Sequence, residues 1–169
     1  MKKIFLLLGA VSTLALTSCD WDDDHTHDYV DHDTISEVFE VDNVNFTAAG
    51  DFTATIPLDP EIYSSDVVLV YRLSDTDPLG ADIWEMIPTT YNLPEGSLSY
   101  FTDFSVNSVA IYLDSTFDPL ARPDFSLDQI FRIVIVPGYF SENVDTSNYN
   151  AVMSALEQQN GPIEIETLN

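Results

Sequence analysis

From Ile35 onward apolar and polar positions alternate with period two, the spacing of strands that bury one face. Ile35, Glu37, Phe39 and Val41 share a phase that then switches to Val44 and Phe46, which predicts a β-bulge near Asp42-Asn43. Ala48-Ala49-Gly50-Asp51 reads as a turn, and Phe52, Ala54, Ile56 and Leu58 as the return strand. Residues 67–73 are nearly continuously apolar, the pattern of an interior strand. After an Asp-rich turn over 74–82 come strands around 83–87, 98–104 and 109–113, with Pro94-Glu95-Gly96-Ser97 turning the chain before the second of them. Residues 130–136 form another interior strand, stopped by Pro137-Gly138.

Seven to eight short strands punctuated by Gly, Pro and Asp predict an all-β fold, an antiparallel two-sheet (Ig-like) sandwich over residues 35–169. Strands do not alternate with helices, which argues against a doubly wound sheet. One C-terminal amphipathic helix is expected, because Tyr149, Val152, Met153 and Leu156 recur at i, i+3, i+4 and i+7. Asp145 or Ser147 can cap it and Gly161 can end it, and its stripe suits a sheet edge or the sandwich mouth.

The first residues follow another pattern. Met1-Lys2-Lys3 precedes an apolar run from Ile4 to Leu16, then Leu16-Thr17-Ser18-Cys19. Two lysines ahead of a short apolar stretch are the start of a secretory signal. Broken by Gly9, Ser12 and Thr13, the stretch falls below the ~20 residues that span a bilayer. Leu-Thr-Ser-Cys resembles the lipobox cleaved by a lipoprotein signal peptidase, so residues 1–18 are expected to be removed and Cys19 to carry palmitate-type acyl chains. Each buried methylene of such chains contributes ~0.8 kcal/mol to membrane anchoring. Cys19 is also the one cysteine, so the domain must hold together without an internal disulfide.

Cleavage leaves 151 of the 169 residues and carries away both lysines. Arg72, Arg122 and Arg132 then stand against 29 acidic residues, a formal charge of −26. Without a basic patch to displace counterions from phosphate, nucleic acid is excluded as a partner. Residues 19–34 form an acidic tether with seven aspartates and every histidine, His25, His27 and His32. It reads first as a self-repelling spacer, and acidic residues just after the lipidated cysteine resemble the surface-export signal of Bacteroidota lipoproteins. A metal chelate through His25-x-His27 and His32 is the minority reading, since disordered ligands must be ordered at an entropic cost.

The domain proper lacks His, Cys and Lys, which removes histidine triads, thiolate chemistry and Schiff bases. A carboxylate-pair hydrolase stays open as a third reading, although proximity of two acids says little in so acidic a chain. Asp75, Asp77 and Asp82, around Gly80, make the best calcium loop, yet Leu79 and Met86 stand where further oxygen ligands belong. Arg72 lies on the phase of Val68 and Val70, and Arg132 on that of Val134 and Val136; each is expected to extend its stem over the sheet and pair with a carboxylate. Trp84, Tyr71, Tyr100 and Tyr112 alternate on strands, where packing is the commoner use and sugar stacking the alternative.

Ser65–Leu73, Asp82-Ile83-Trp84, Gly96–Phe104, Gln129–Pro137 and Asp145…Tyr149…Val152-Met153 together resemble a group of small flavobacterial (Bacteroidota) lipoproteins of unknown function, over most of residues 36–156. Some members carry a collagen-like stretch after the lipidated cysteine, where this chain has its Asp/His tether. Members sometimes bear the name dihydrolipoamide dehydrogenase, but this chain has neither a Gly-x-Gly-x-x-Gly turn nor a redox cysteine pair. The resemblance implies no catalytic residues. It does imply an outer-membrane address, on the cell surface or else the periplasmic face. It also implies O-glycosylation at motifs such as Asp33-Thr34-Ile35 and Asp114-Ser115-Thr116, which makes Thr34 and Ser115 candidates. The expectation is a non-catalytic envelope lipoprotein that binds or scaffolds an envelope protein or glycan, with a calcium- or glycan-binding module as the alternative.

Overall fold

The computed structural model describes residues 36–141 and 143–168. They all fall within one compact unit of the chain. In chain order the strands are β1 (Glu37–Val44), β2 (Thr53–Pro57), β3 (Val67–Thr76), β4 (Asp82–Met86), β5 (Thr89–Leu93), β6 (Gly96–Ser105), β7 (Ser108–Ser115), β8 (Gln129–Val136) and β9 (Glu166–Leu168). The helices are α1 (Pro123–Ser126), α2 (Gly138–Ser141) and α3 (Tyr149–Asn160). Sheet A has the order β4-β3-β8-β1-β9 and sheet B the order β2-β7-β6-β5. The fold is a two-sheet β-sandwich.

The apolar runs became the interior strands of sheet A. β3 lies between β4 and β8, and β8 between β3 and β1, so both edges of each are hydrogen-bonded, while sheet B covers one face and α2 and α3 the other. Inner residues Val70, Phe131 and Ile133 meet Leu98, Tyr100 and Ile111 of sheet B, all essentially without solvent contact. Phe46 sits among them, with its ring centroid 5.8 Å from Tyr100 and 6.0 Å from Phe131. Such tilted and edge-on pairs satisfy the ring quadrupoles while filling the core. The bulge falls at the predicted place: the β1–β8 register shifts between Val41 and Val44, and Asn43 takes φ 54°.

On the far side of sheet A a second core forms. Val38, Leu69, Tyr71, Val134 and Val136 lie under Val152 and Leu156 of α3 and Phe140 of α2. The helix therefore roofs a sheet face rather than an edge or the mouth. Its period fixes the apolar stripe but not the surface that stripe meets. Its cap is Asn148, whose side chain accepts from Ala151 N at 3.2 Å, while Asp145 instead holds Ser147 N and Oγ. Gly161 ends it with φ 82°.

Four other expectations needed correction. The segment after Gly50 does not return along β1; β2 crosses to sheet B and pairs with β7. The turn 74–82 is shorter, since β3 runs to Thr76 and β4 starts at Asp82. β5 is an additional strand. β9 pairs parallel with β1, so sheet A is mixed rather than purely antiparallel. Among the described residues no helix is long and apolar enough to cross a membrane, which bears on helices alone.

Candidate functional site

The arginines are held within the architecture. Arg132 points outward from sheet A and forms an ion pair with Glu40, its direct cross-strand partner. Its guanidinium also donates to Tyr149 Oη and lies 3.9 Å from the Trp84 ring centroid. Thus strand and roof share one cation. Arg122 bonds Asp124 at 2.7 Å and Glu95 at 3.4 Å near the surface. The hydrogen bond from Arg122 holds the Asp124 carboxyl below its usual range and raises Arg122 in turn.

Arg72 departs from expectation. It shares the phase of Val68 and Val70, as read from the sequence, but that phase buries it between the sheets, and the expected carboxylate is missing: it joins none of the ion pairs among the described residues. Neutral oxygens hold it instead: Gln129 Oε1 at 2.8 Å, Asp124 O at 3.3 Å and Tyr91 Oη at 3.4 Å. The rings of Tyr91, Tyr100 and Phe125 stand 5.1–5.7 Å from its guanidinium carbon. A buried cation needs such compensation, and aromatic faces supply part of it. Tyr91 donates onward to Glu85. Burial and then that bond push Tyr91 up to about 12, with Arg72 opposing. Burial likewise raises Tyr100, whose hydroxyl donates to Phe125 O. The cluster is closed by its own partners and locks one end of the sandwich.

The loop acids do not converge. Asp77 Oδ1 accepts from Leu79 N and Ala81 N, both at 2.8 Å, and Asp75 Oδ1 accepts from Thr76 N. These are the bonds of an Asx turn, with Gly80 at φ 87°. Among the described residues no three acidic side chains gather as metal ligands. Ser115 Oγ accepts from Phe117 N at 3.2 Å, a turn bond just after β7. Cys19, His25, His27, His32 and Thr34 lie outside the described residues.

At the mouth beside β1 and β9 lies a groove of about 830 Å³. Phe39, Leu58, Ile135 and Ile163 give it apolar walls, and Glu37 and Glu166 are among its acidic residues. The tail over 162–166 supplies much of its lining.

The other open surface is the outer face of sheet B. Along β6 and β7 the core residues Leu98, Tyr100, Val109, Ile111 and Leu113 alternate with residues that face away from the core. Phe101 and Tyr112 are direct cross-strand partners at the centre of that face, and Thr53 of β2 faces Tyr112 from the other side. Phe101 remains 45% exposed. Tyr112 Oη donates to Asp103 Oδ2 at 2.8 Å, and this bond raises the Tyr112 hydroxyl above its ordinary value. Thr90 and Ser99 share a hydroxyl bond at 2.8 Å on the β5 side. Thr55, Ser97, Ser105 and Ser108 extend the polar surround.

Comparison with protein-family models, with curated proteins and with solved structures returned no match. The chain's own geometry carries the reading.

That geometry separates the aromatics grouped by the sequence pattern. Tyr71 is buried beneath α3 and donates to Thr146 O at 2.8 Å, Trp84 packs at that same roof, and Tyr100 lies in the core. Of that set Tyr112 alone belongs to the open face, and its neighbour Phe101 was missed. Phe101 sits between Tyr100 and Thr102 in a strand, so its outward phase was readable, but its pairing with Tyr112 depended on strand register.

Proposed function

We propose that this chain is an envelope-anchored lipoprotein whose β-sandwich is a non-catalytic binding module for another envelope component. The outer face of sheet B carries the binding reading: Phe101 and Tyr112 stand at its centre, while α3 covers the equivalent face of sheet A. Phe101 is exposed and Tyr112 half-buried, and aromatic side chains reaching solvent together on a sheet face are a feature of contact surfaces. The anchor rests on the lipobox-like Leu16-Thr17-Ser18-Cys19 behind Lys2-Lys3 and the apolar run, with the acidic tether directing the domain to an outer face of the envelope. The non-catalytic reading rests on residue types, since the domain has no His, Cys or Lys.

Purification of the acylated protein from native membranes tests the binding reading. The wild-type protein should bring a defined envelope component with it, and Phe101→Ala combined with Tyr112→Ala should lose it. A partner retained by the double variant, or a lone monomer from wild-type membranes, overturns the assignment. Cys19→Ala should move the protein out of the membrane fraction.

A further inference from the structure

Resting on that reading, we propose that the open face of sheet B takes a neutral glycan chain, with Phe101 and Tyr112 stacking against sugar rings and the surrounding hydroxyls and Asp103 meeting sugar hydroxyls. Three features favour this occupant.

The first is chemistry. Directly opposed cross-strand residues have Cβ atoms about 5 Å apart, so the two aromatic side chains rise side by side from the face. The C–H faces of a sugar ring carry slight positive charge and suit the negative face of an aromatic ring. Around the patch Thr53, Thr55, Thr90, Ser97, Ser99, Ser105 and Ser108 provide hydroxyls. Thr53 donates to Asp51 O, Thr90 pairs with Ser99 and Ser105 with Ser108, so these oxygens keep acceptor capacity for a polyol, while Thr55 and Ser97 can donate as well.

The second is charge. The face bears Asp103 and Asp114 and has no cation among its strand residues, within a chain of formal charge −24. Anionic polysaccharide, phosphate and nucleic acid are repelled, whereas an uncharged chain is not. Asp103 already accepts from Tyr112 and Asp114 from Ser115 N, so both carboxylates are oriented acceptors.

The third is size. Four strands at ~4.8 Å spacing and a ten-residue β6 at ~3.3 Å per residue give a face of about 19 by 33 Å, roughly 630 Å² in projection. A standard protein interface needs ~800 Å² per partner, and stable homodimers are larger and more apolar. The face is therefore small and polar for a stable homodimer, while a narrow chain of sugar rings fits its length.

Native affinity electrophoresis of the full mature chain in non-ionic detergent tests the proposal. The gels would contain β-glucan, α-glucan, arabinoxylan or galactomannan, with alginate as the anionic control. Retardation is expected in at least one neutral gel, undiminished by added salt. Phe101→Ala and Tyr112→Ala should each weaken it about tenfold, the scale of one lost ring contact. Leu79→Ala, at an exposed loop tip, should leave it unchanged. Both face variants should melt within about 2 °C of the wild type, as surface substitutions do. Absence of retardation in every neutral gel, or retardation that survives both variants, overturns the glycan assignment. So does a concentration-dependent mass in sedimentation that Phe101→Ala returns to monomer. If no gel retards the protein but the double variant still loses its membrane partner, the glycan fails and the binding face stands. If the membrane partner persists, the face itself fails.

Discussion

On its outer side sheet A presents Val38, Leu69, Tyr71, Val134 and Val136, all buried under α2 and α3. On its outer side sheet B presents Phe101, Tyr112 and a surround of Ser, Thr and Asp, with Phe101 nearly half exposed. Both sheets have closed inner faces, so the contrast lies in what each does with its second face. Aliphatic side chains on sheet A require a cover, and the stripe Val152-Met153-Leu156 provides it. Sheet B carries no aliphatic row outward and is legible as a surface in its own right. A cover is structural, whereas an aromatic patch ringed with hydroxyls is available for contact.

The contrast can be broken most directly at the roof. Leu156→Ala should cost about 3–5 kcal/mol in urea unfolding, because Leu156 is fully buried between helix and sheet. A loss below about 1 kcal/mol would mean that α3 is not a structural cover. Arg132→Ala should cost less, about 2–3 kcal/mol, by leaving the partly exposed Glu40 without its cation and loosening Trp84 and Tyr149. Retention of full stability would show that aliphatic packing alone fixes the roof. The smallest effect is a pH dependence. Burial, then the charge of Asp145, push Tyr71 up to about 12 from an unfolded value near 10. The folded state thus favours the protonated phenol. This contribution is complete below about pH 10 and is lost as the pH rises through about 12. The helical circular dichroism signal should weaken over that window, and Tyr71→Phe should flatten its contribution. An identical profile in the variant would remove Tyr71 from the account.

Much of this architecture was legible because local pattern and burial agree. The apolar runs of β3 and β8 marked interior strands, and the phase switch after Val41 marked the bulge. β5 escaped because Thr89-Thr90-Tyr91-Asn92-Leu93 turns just Tyr91 and Leu93 toward the main core and sits between Pro88 and Pro94. β9 escaped because three exposed residues pairing parallel with a strand at the other end of the domain leave no local trace. Arg72 shows the limit of phase: alternation aligned it with Val68 and Val70 but named a carboxylate partner, whereas Tyr91, Phe125 and Gln129 reach it from three separate elements. The open face was half legible, since Tyr112 was recognised but the neighbour that makes a patch of it comes from register.

The placement of β1 has a consequence for how the molecule assembles. Its ladder partners are β8 and β9, and the Glu40–Arg132 contact spans 92 residues of chain. The β5–β6–β7 meander, by contrast, closes through short turns. Loop-closure entropy therefore favours the meander as an early nucleus and leaves β1 waiting. For a polypeptide delivered from its N-terminal end, the first strand to emerge is among the last to find its place. The sandwich shuts when the eighth strand arrives, and until then Val38, Phe39 and Val41 travel as an open, sticky edge.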